Sequence, residues 1–175
     1  RKLSREEIQQ KLEELLEEVA PSPEAVRERQ PLLVALDQIE DPHNYGAILR
    51  TAAAAGVAGV LVPRHHMAPL NAAALKASAG AALRVPIARV TNLTRALETL
   101  KAHGFWVAGA SPSGEVSVWE MDWHRPLVLV LGNEGRGLRP GVARACDLLV
   151  SIPLRGPVES LNVSVAAGTP YSVPL

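Results

Sequence analysis

The sequence predicts an α/β fold, a mostly parallel sheet with helices on both faces. Two observations lead there. From Pro31 onward, short apolar runs alternate with stretches of helical periodicity, the order that builds parallel βαβ units. The runs are also apolar almost without interruption, as in Val128-Leu129-Val130-Leu131, which suits strands covered on both sides. The composition agrees: of 175 residues, 47% are hydrophobic and 21% charged, a globular balance and not a disordered one.

The elements follow in chain order. Residues 1–20 read as an amphipathic helix. Ser4 and Glu7 stand at capping-box spacing, and Leu3, Ile8, Leu12, Leu15, Leu16 and Val19 recur at helical intervals. Pro21 and Pro23 stop it, and residues 21–30 read as a linker. Residues 1–30 are thus expected to be a helix and linker, and residues 31–175 the main domain. Within it, Leu32–Leu36 is a strand. Asn44–Ala55 is a helix stopped by Gly56. Val57–Val62 is a strand ended by Pro63. The Ala-rich residues 70–82 read as a helix, and Val85–Val90 as a strand weakened by Pro86. Leu93–Ala102 is a helix with Gly104 as its stop, followed by strands at Phe105–Ala110 and Leu127–Leu131. A short helix over Pro140–Cys146, a strand over Leu148–Ile152 and a last helix over Leu161–Gly168 complete the reading. Pro170 and Pro174 cannot continue a helix, so that last helix is expected to be short.

Several function classes drop out. The one cysteine, Cys146, excludes an internal disulfide and a multi-cysteine zinc site, and reads as a small buried hydrophobe. His65 and His66 are adjacent without a third ligand, so no metal is expected. No apolar run approaches the ~18 residues of a membrane span and no signal-peptide pattern is present, which points to the cytoplasm. Aromatic residues are 3% of the chain, too few for a base-stacking platform. Trp106 reads as core, Trp119 and Trp123 as interface or lid residues. Eighteen basic residues balance eighteen acidic ones, so charge alone does not advertise nucleic-acid binding.

Three loops at strand ends carry the chemistry, since ligands of such sheets sit outside the carboxyl ends of the strands. The first runs from Asp37 through Asp41-Pro42-His43-Asn44-Tyr45-Gly46-Ala47 to Arg50. Asp41 or Asn44 suits a helix cap, Gly46 and Ala47 admit a close neighbouring backbone, and the planar fork of Arg50 suits a phosphate. The second is Leu131-Gly132-Asn133-Glu134-Gly135-Arg136-Gly137-Leu138. Its G-x-x-G-x-G spacing is neither the dinucleotide fingerprint nor a P-loop, which disfavours a Rossmann-type nucleotide enzyme. The third runs from Ser151 to Gly168, with Ser160 and Asn162 at the start of a helix of small residues.

Taken together, Asp-Pro-His-Asn-Tyr-Gly-Ala-Ile-Leu-Arg, Leu-Gly-Asn-Glu-Gly-Arg-Gly-Leu and Ser-Leu-Asn-Val-Ser-Val-Ala-Ala-Gly resemble the three motifs of the SPOUT superfamily of RNA methyltransferases. More narrowly, they resemble the TrmH family of ribose 2′-O-methyltransferases, over residues 31–168. The resemblance implies a deep C-terminal trefoil knot, S-adenosyl-L-methionine as methyl donor, and a homodimer. It implies RNA as substrate, with ribosomal RNA (a guanosine of bacterial 23S rRNA) ahead of transfer RNA. A non-catalytic RNA-binding subunit is the alternative of a different class. Residues 1–30 would then be the remnant of an RNA-binding domain.

By motif, the resemblance assigns Asn44, Arg50, Glu134, Ser160 and Asn162 to the catalytic set. It assigns Leu131, Gly132, Asn133, Ile152, Leu154 and Leu161 to the cofactor, held largely through backbone groups. A guanidinium stays charged above pH 12 or so, so Arg50 reads as a phosphate clamp and electrostatic stabiliser. Glu134 is open between a general base and a brace for Arg50 or Asn44.

Overall fold

The computed structural model describes residues 9–151. Eight strands form one sheet in the order β1-β4-β3-β2-β7-β5-β8-β6, and every pairing between neighbours is parallel. In chain order the elements are β1 (Gln9–Gln10), α1 (Leu12–Val19), α2 (Pro23–Arg29), β2 (Leu32–Asp37), α3 (Pro42–Ala54), β3 (Gly59–Pro63), α4 (Ala72–Ala77), a 3₁₀ turn (Ala81–Leu83), β4 (Ile87–Val90), α5 (Leu93–Ala102), β5 (Trp106–Ala110), β6 (Val116–Ser117), β7 (Leu127–Gly132), α6 (Pro140–Ala145) and β8 (Leu148–Ser151). The expected last helix, the segment that would tie the knot, and Ser4 and Glu7 lie outside the described residues.

Alternation along each strand sorts the core into two layers. Val34, Leu36, Val60, Val62, Leu129 and Leu131 face α3 and α4 on one side. Leu33, Ala35, Leu61, Val128 and Val130 face α1, α5 and α6 on the other. The uninterrupted apolar strands follow from this double cover.

Local chemistry sets the helix ends. The Asp41 carboxylate accepts from the His43 N–H at 2.9 Å, Pro42 opens α3, and Gly56 closes it at φ +75°. Asn71 caps α4 and Asn92 caps α5, each accepting a backbone N–H at 3.0 Å.

Four expectations need correction. Gln9 and Gln10 do not continue a helix; they pair with Ile87 and Ala88 of β4. Residues 21–30 are not a linker: Ser22 accepts from the Ala25 N–H, Pro23 opens α2, Gln30 ends it in the left-handed region, and Val26 is buried. Proline stops a helix in its interior but starts one at its first position. The Ala-rich helix over 70–82 breaks after Ala77. Ala79 and Gly80 take φ of +51° and +85° there, and the Ser78 hydroxyl donates to the Leu75 carbonyl at 2.7 Å. Trp106 is not core but 47% exposed, with the Arg125 guanidinium 4.7 Å from its ring centre; Phe105 is the buried neighbour.

Gly46 is where α3 meets α4. A Cβ there would lie 2.6 Å from the Ala77 Cβ and 2.9 Å from the Ser78 backbone nitrogen. Alanine is worth about 1 kcal/mol over glycine inside a helix, but overpacking a close contact costs about 1–3 kcal/mol. Here the neighbour is backbone, so the clash wins. Gly46→Ala is expected to lower the unfolding free energy by about 1–2 kcal/mol, measured by denaturant titration.

Candidate active site

The site begins with a pairing between distant segments. β2 and β7 lie side by side, Leu32–Asp37 in register with Leu127–Gly132. From β2 the chain moves on to β3 on one side; from β7 it moves on to β8, beyond β5, on the other. The two connections diverge, which makes the carboxyl edge between β2 and β7 the topological switch point of the sheet.

Side chains stitch the two loops at this edge. The Asp37 carboxylate, fully buried, accepts from Arg139 Nε at 2.7 Å and from the Arg139 N–H at 2.8 Å. Asn133 Nδ2 donates to the Gln38 carbonyl at 2.8 Å. Arg136 pairs with Glu40, both well exposed, a contact of small energetic weight. Asn44, in the first turn of α3, donates from Nδ2 to Glu134 Oε1 at 3.2 Å.

The second loop also closes on itself. Asn133 and Gly137 exchange backbone hydrogen bonds of 3.0 and 2.9 Å. Asn133 Oδ1 accepts from the N–H groups of Gly135 and Arg136. Gly137 takes φ +69°, and a Cβ on Gly132 would lie 2.5 Å from the Leu138 nitrogen. Both glycines are therefore required by the path of the loop.

The structure brings Asn44 and Glu134 together. Asp41, not Asn44, caps α3, and Glu134 braces Asn44, not Arg50. Arg50 is exposed six residues further along α3, about 9 Å along the axis and 120° around it. Among the described residues it has no ion pair. Leu131 is buried, and Gly132 and Asn133 are half-buried at the end of β7. The amide of Asn133 is used at both ends within the loops. Ser160, Asn162, Ile152, Leu154 and Leu161 lie outside the described residues.

Sequence reasoning missed Asp37 and Arg139 as a pair. A carboxylate closing the run Leu32-Leu33-Val34-Ala35-Leu36-Asp37 is a visible signal of a buried charge, but its partner lies 102 positions away. It also missed β6, two residues long, which pairs with β8.

The described part of the edge fits a cofactor held through backbone groups. The carboxyl ends of β7, β5 and β8 carry only Gly132, Ala110, Ser111 and Ser151. Gly114, after β5, packs so tightly on β8 that a Cβ would lie 2.7 Å from the Ser151 nitrogen. Among the described residues, no cluster of three or more His, Cys, Asp or Glu is placed to hold a metal, and no helix is long and apolar enough to cross a membrane.

A sheet of this order, with two loops stitched together at its switch point, defines an α/β domain with a ligand-binding position at the carboxyl edge between β2 and β7. The family model of the SpoU rRNA methylases matches residues 31–169, and the chain belongs to that family. It is 47% identical over 156 residues to a 23S rRNA (guanosine-2′-O-)-methyltransferase of Pseudomonas aeruginosa, covering 89% of this chain and 61% of that protein. Its fold matches the SpoU methyltransferase AviRb from Streptomyces viridochromogenes in complex with AdoMet, with a TM-score of 0.76 and 30% identity over 81% of this chain and 58% of that one. It also matches a TrmH/SpoU tRNA modifying enzyme of A. aeolicus, with a TM-score of 0.72 and 32% identity over 85% of this chain and 78% of that one. The chain thus spans about three fifths of its Pseudomonas relative.

Two outcomes follow from the site. Arg139→Ala leaves the buried Asp37 carboxylate with a single backbone N–H, whereas Asp37→Asn leaves an arginine that can turn to water. The arginine variant is expected to lose about 3 kcal/mol of stability and the asparagine variant less, by thermal denaturation. Cys146 is the second. Burial, reinforced by the nearby Asp147 and Asp37 carboxylates and opposed by Lys101, pushes its thiol up to about 11 from 9.0. At pH 8 its reaction with a thiol reagent should be about 100-fold slower in the folded than in the unfolded chain. A pKa raised on folding stabilises fully below the unfolded value, so its contribution should fade as pH rises from 9 through 11.

Proposed function

We propose that this chain is the catalytic domain of an RNA ribose 2′-O-methyltransferase that uses S-adenosyl-L-methionine and acts on a guanosine of bacterial 23S rRNA. The Asn44–Glu134 contact across the switch point carries the reading, because it joins two motif residues 90 positions apart at the edge where ligands bind. The Pseudomonas relative's name supports this RNA. The tRNA modifying enzyme among the structural neighbours supports transfer RNA as the second reading.

S-adenosyl-L-methionine, when bound, supplies a methyl group made electrophilic by its sulfonium. What the protein adds is mostly orientation of the ribose hydroxyl. In this reading Leu131 and Gly132 offer backbone groups to the cofactor, together with Ile152, Leu154 and Leu161. Asn133 shapes the loop that presents them. Arg50 clamps an RNA phosphate with its two-pronged fork. Glu134 fixes the amide of Asn44, which is then pre-set to orient the sugar, and Ser160 and Asn162 complete the polar set. Retention of all five motif residues argues against a non-catalytic subunit. A homodimer belongs to the same proposal, as does an origin of residues 1–30 as the connector to an RNA-binding domain; light scattering over a dilution series tests the former.

The decisive experiment is methyl transfer from labelled S-adenosyl-L-methionine to 23S rRNA and to tRNA transcripts, with the modified nucleotide mapped. Failure to label either RNA overturns the proposal. Arg50→Ala is expected to lower kcat by about two orders of magnitude with cofactor affinity unchanged. Arg50→Lys should recover little of it, because a point charge does not replace a fork. Glu134→Gln retains an acceptor for Asn44 and should stay within about tenfold of the parent enzyme, whereas Glu134→Ala should fall about 100-fold. A large loss in Glu134→Gln would instead make that carboxylate the proton acceptor.

A further inference from the structure

A second feature of the same sheet edge has no part in the site above. A cavity of about 190 Å³ opens at the carboxyl ends of β3 and β4. Its floor is apolar, from Val62, Met67, Ala68 and Leu70, and two arginines, Arg64 and Arg89, line it. Among the described residues, no acidic side chain lines it. Both arginines are exposed, and neither has an ion pair among the described residues. They are brought together by the register: Val62 lies opposite Arg89, and the Arg64 N–H donates to the Val90 carbonyl at 2.8 Å.

This contrasts with the arginines elsewhere at the edge. Arg136 and Arg139 are neutralised by Glu40 and Asp37. Arg64 and Arg89 keep their charge free beside an apolar recess smaller than the ~300 Å³ of sites for drug-sized ligands. Phosphate contacts to RNA come from such unpaired cations, and an apolar recess next to them has the chemistry for one unstacked base. Residues 64–71, which follow β3, are also tied by a hydrogen bond to the loop after β2. The Ala68 N–H donates to the Ile39 carbonyl, in the loop that leads into α3, at 2.7 Å. β4 lies two strands from β2, so the cavity stands about 10 Å from the end of β2.

We propose that Arg64, Arg89 and this recess form a second RNA subsite, which takes the phosphate and base of an unpaired nucleotide flanking the one at the switch point. The inference rests on the proposed RNA methyl transfer and deepens it: the substrate must be single-stranded over the target and its neighbour. A loop or bulge qualifies and a continuous duplex does not.

The test is Arg64→Ala/Arg89→Ala in the whole chain, measured beside the parent protein. Both side chains are exposed, so circular dichroism and S-adenosyl-L-methionine affinity should be unchanged. Fluorescence anisotropy of a single-stranded RNA oligomer, titrated at several salt concentrations, should show a log–log slope shallower by about 1.4, the value for neutralising two fewer phosphates of a single strand. In methyl transfer, KM should rise about tenfold with kcat within twofold. An abasic nucleotide at the flanking position should weaken binding to the parent protein but not to the double variant.

An unchanged slope and KM would overturn the subsite. So would a fall in kcat at constant KM, which would put these arginines into the chemistry instead. If the parent protein methylates no RNA, the proposed activity fails, and the salt slope of RNA binding still decides the subsite by itself.

Discussion

The arrangement rests on one buried charge. Asp37 ends the central strand β2 in the middle of the sheet, where an unpaired carboxylate would be costly. Among the described residues its two hydrogen bonds both come from Arg139, the residue just before the first turn of α6. That single residue therefore fixes where the second loop must return to the sheet. With both ends of the loop anchored, at Gly132 on β7 and at Arg139, the segment between has little freedom. Asn133 removes the rest by tying it to Gln38 and to its own backbone. Glu134 reaches Asn44 only because those anchors are set.

The division of labour among these contacts is physical, not decorative. Asp37 and the amide nitrogen of Asn133 use part-buried hydrogen bonds and so contribute to stability and register. Glu40–Arg136 and Asn44–Glu134 lie in solvent, where a polar contact stabilises little and can be exchanged for a ligand at small cost. The edge is anchored underneath and adaptable on top.

Much of this was legible in the residues. The alternation of apolar runs with helical stretches placed every long strand of the sheet to within two residues, because double cover leaves no room for polar positions. The cap Asp41 acts locally and was one of the two candidates that the local sequence offered, beside Asn44. What sequence could not carry was pairing across distance. β2 beside β7, Asp37 with Arg139 and Asn44 with Glu134 all join segments about a hundred positions apart. Errors of the local kind came from reading proline and alanine by habit: Pro23 starts α2 where it was expected to end a helix, and two left-handed residues break an alanine run. The motif resemblance supplied Asn44 and Glu134 as members of one site, and the geometry supplies the contact between them.

The strand order has a consequence for how the molecule comes into being. β2 and β5 are each hydrogen-bonded to β7, which lies between them, yet β7 is the later of the three in the chain. While the protein is being made, everything up to Ala110 can exist with a slot in the middle of the sheet, two strand edges facing each other across a missing neighbour. Such edges are the surfaces on which chains associate wrongly, and long-range parallel pairing is slow to form. The slot closes when Leu127–Gly132 enters it, and the same event delivers Asn133, Glu134 and Arg139 to their partners. The Asn44–Glu134 and Asp37–Arg139 contacts therefore form only once this late strand has entered, and a chain halted before that insertion lacks both.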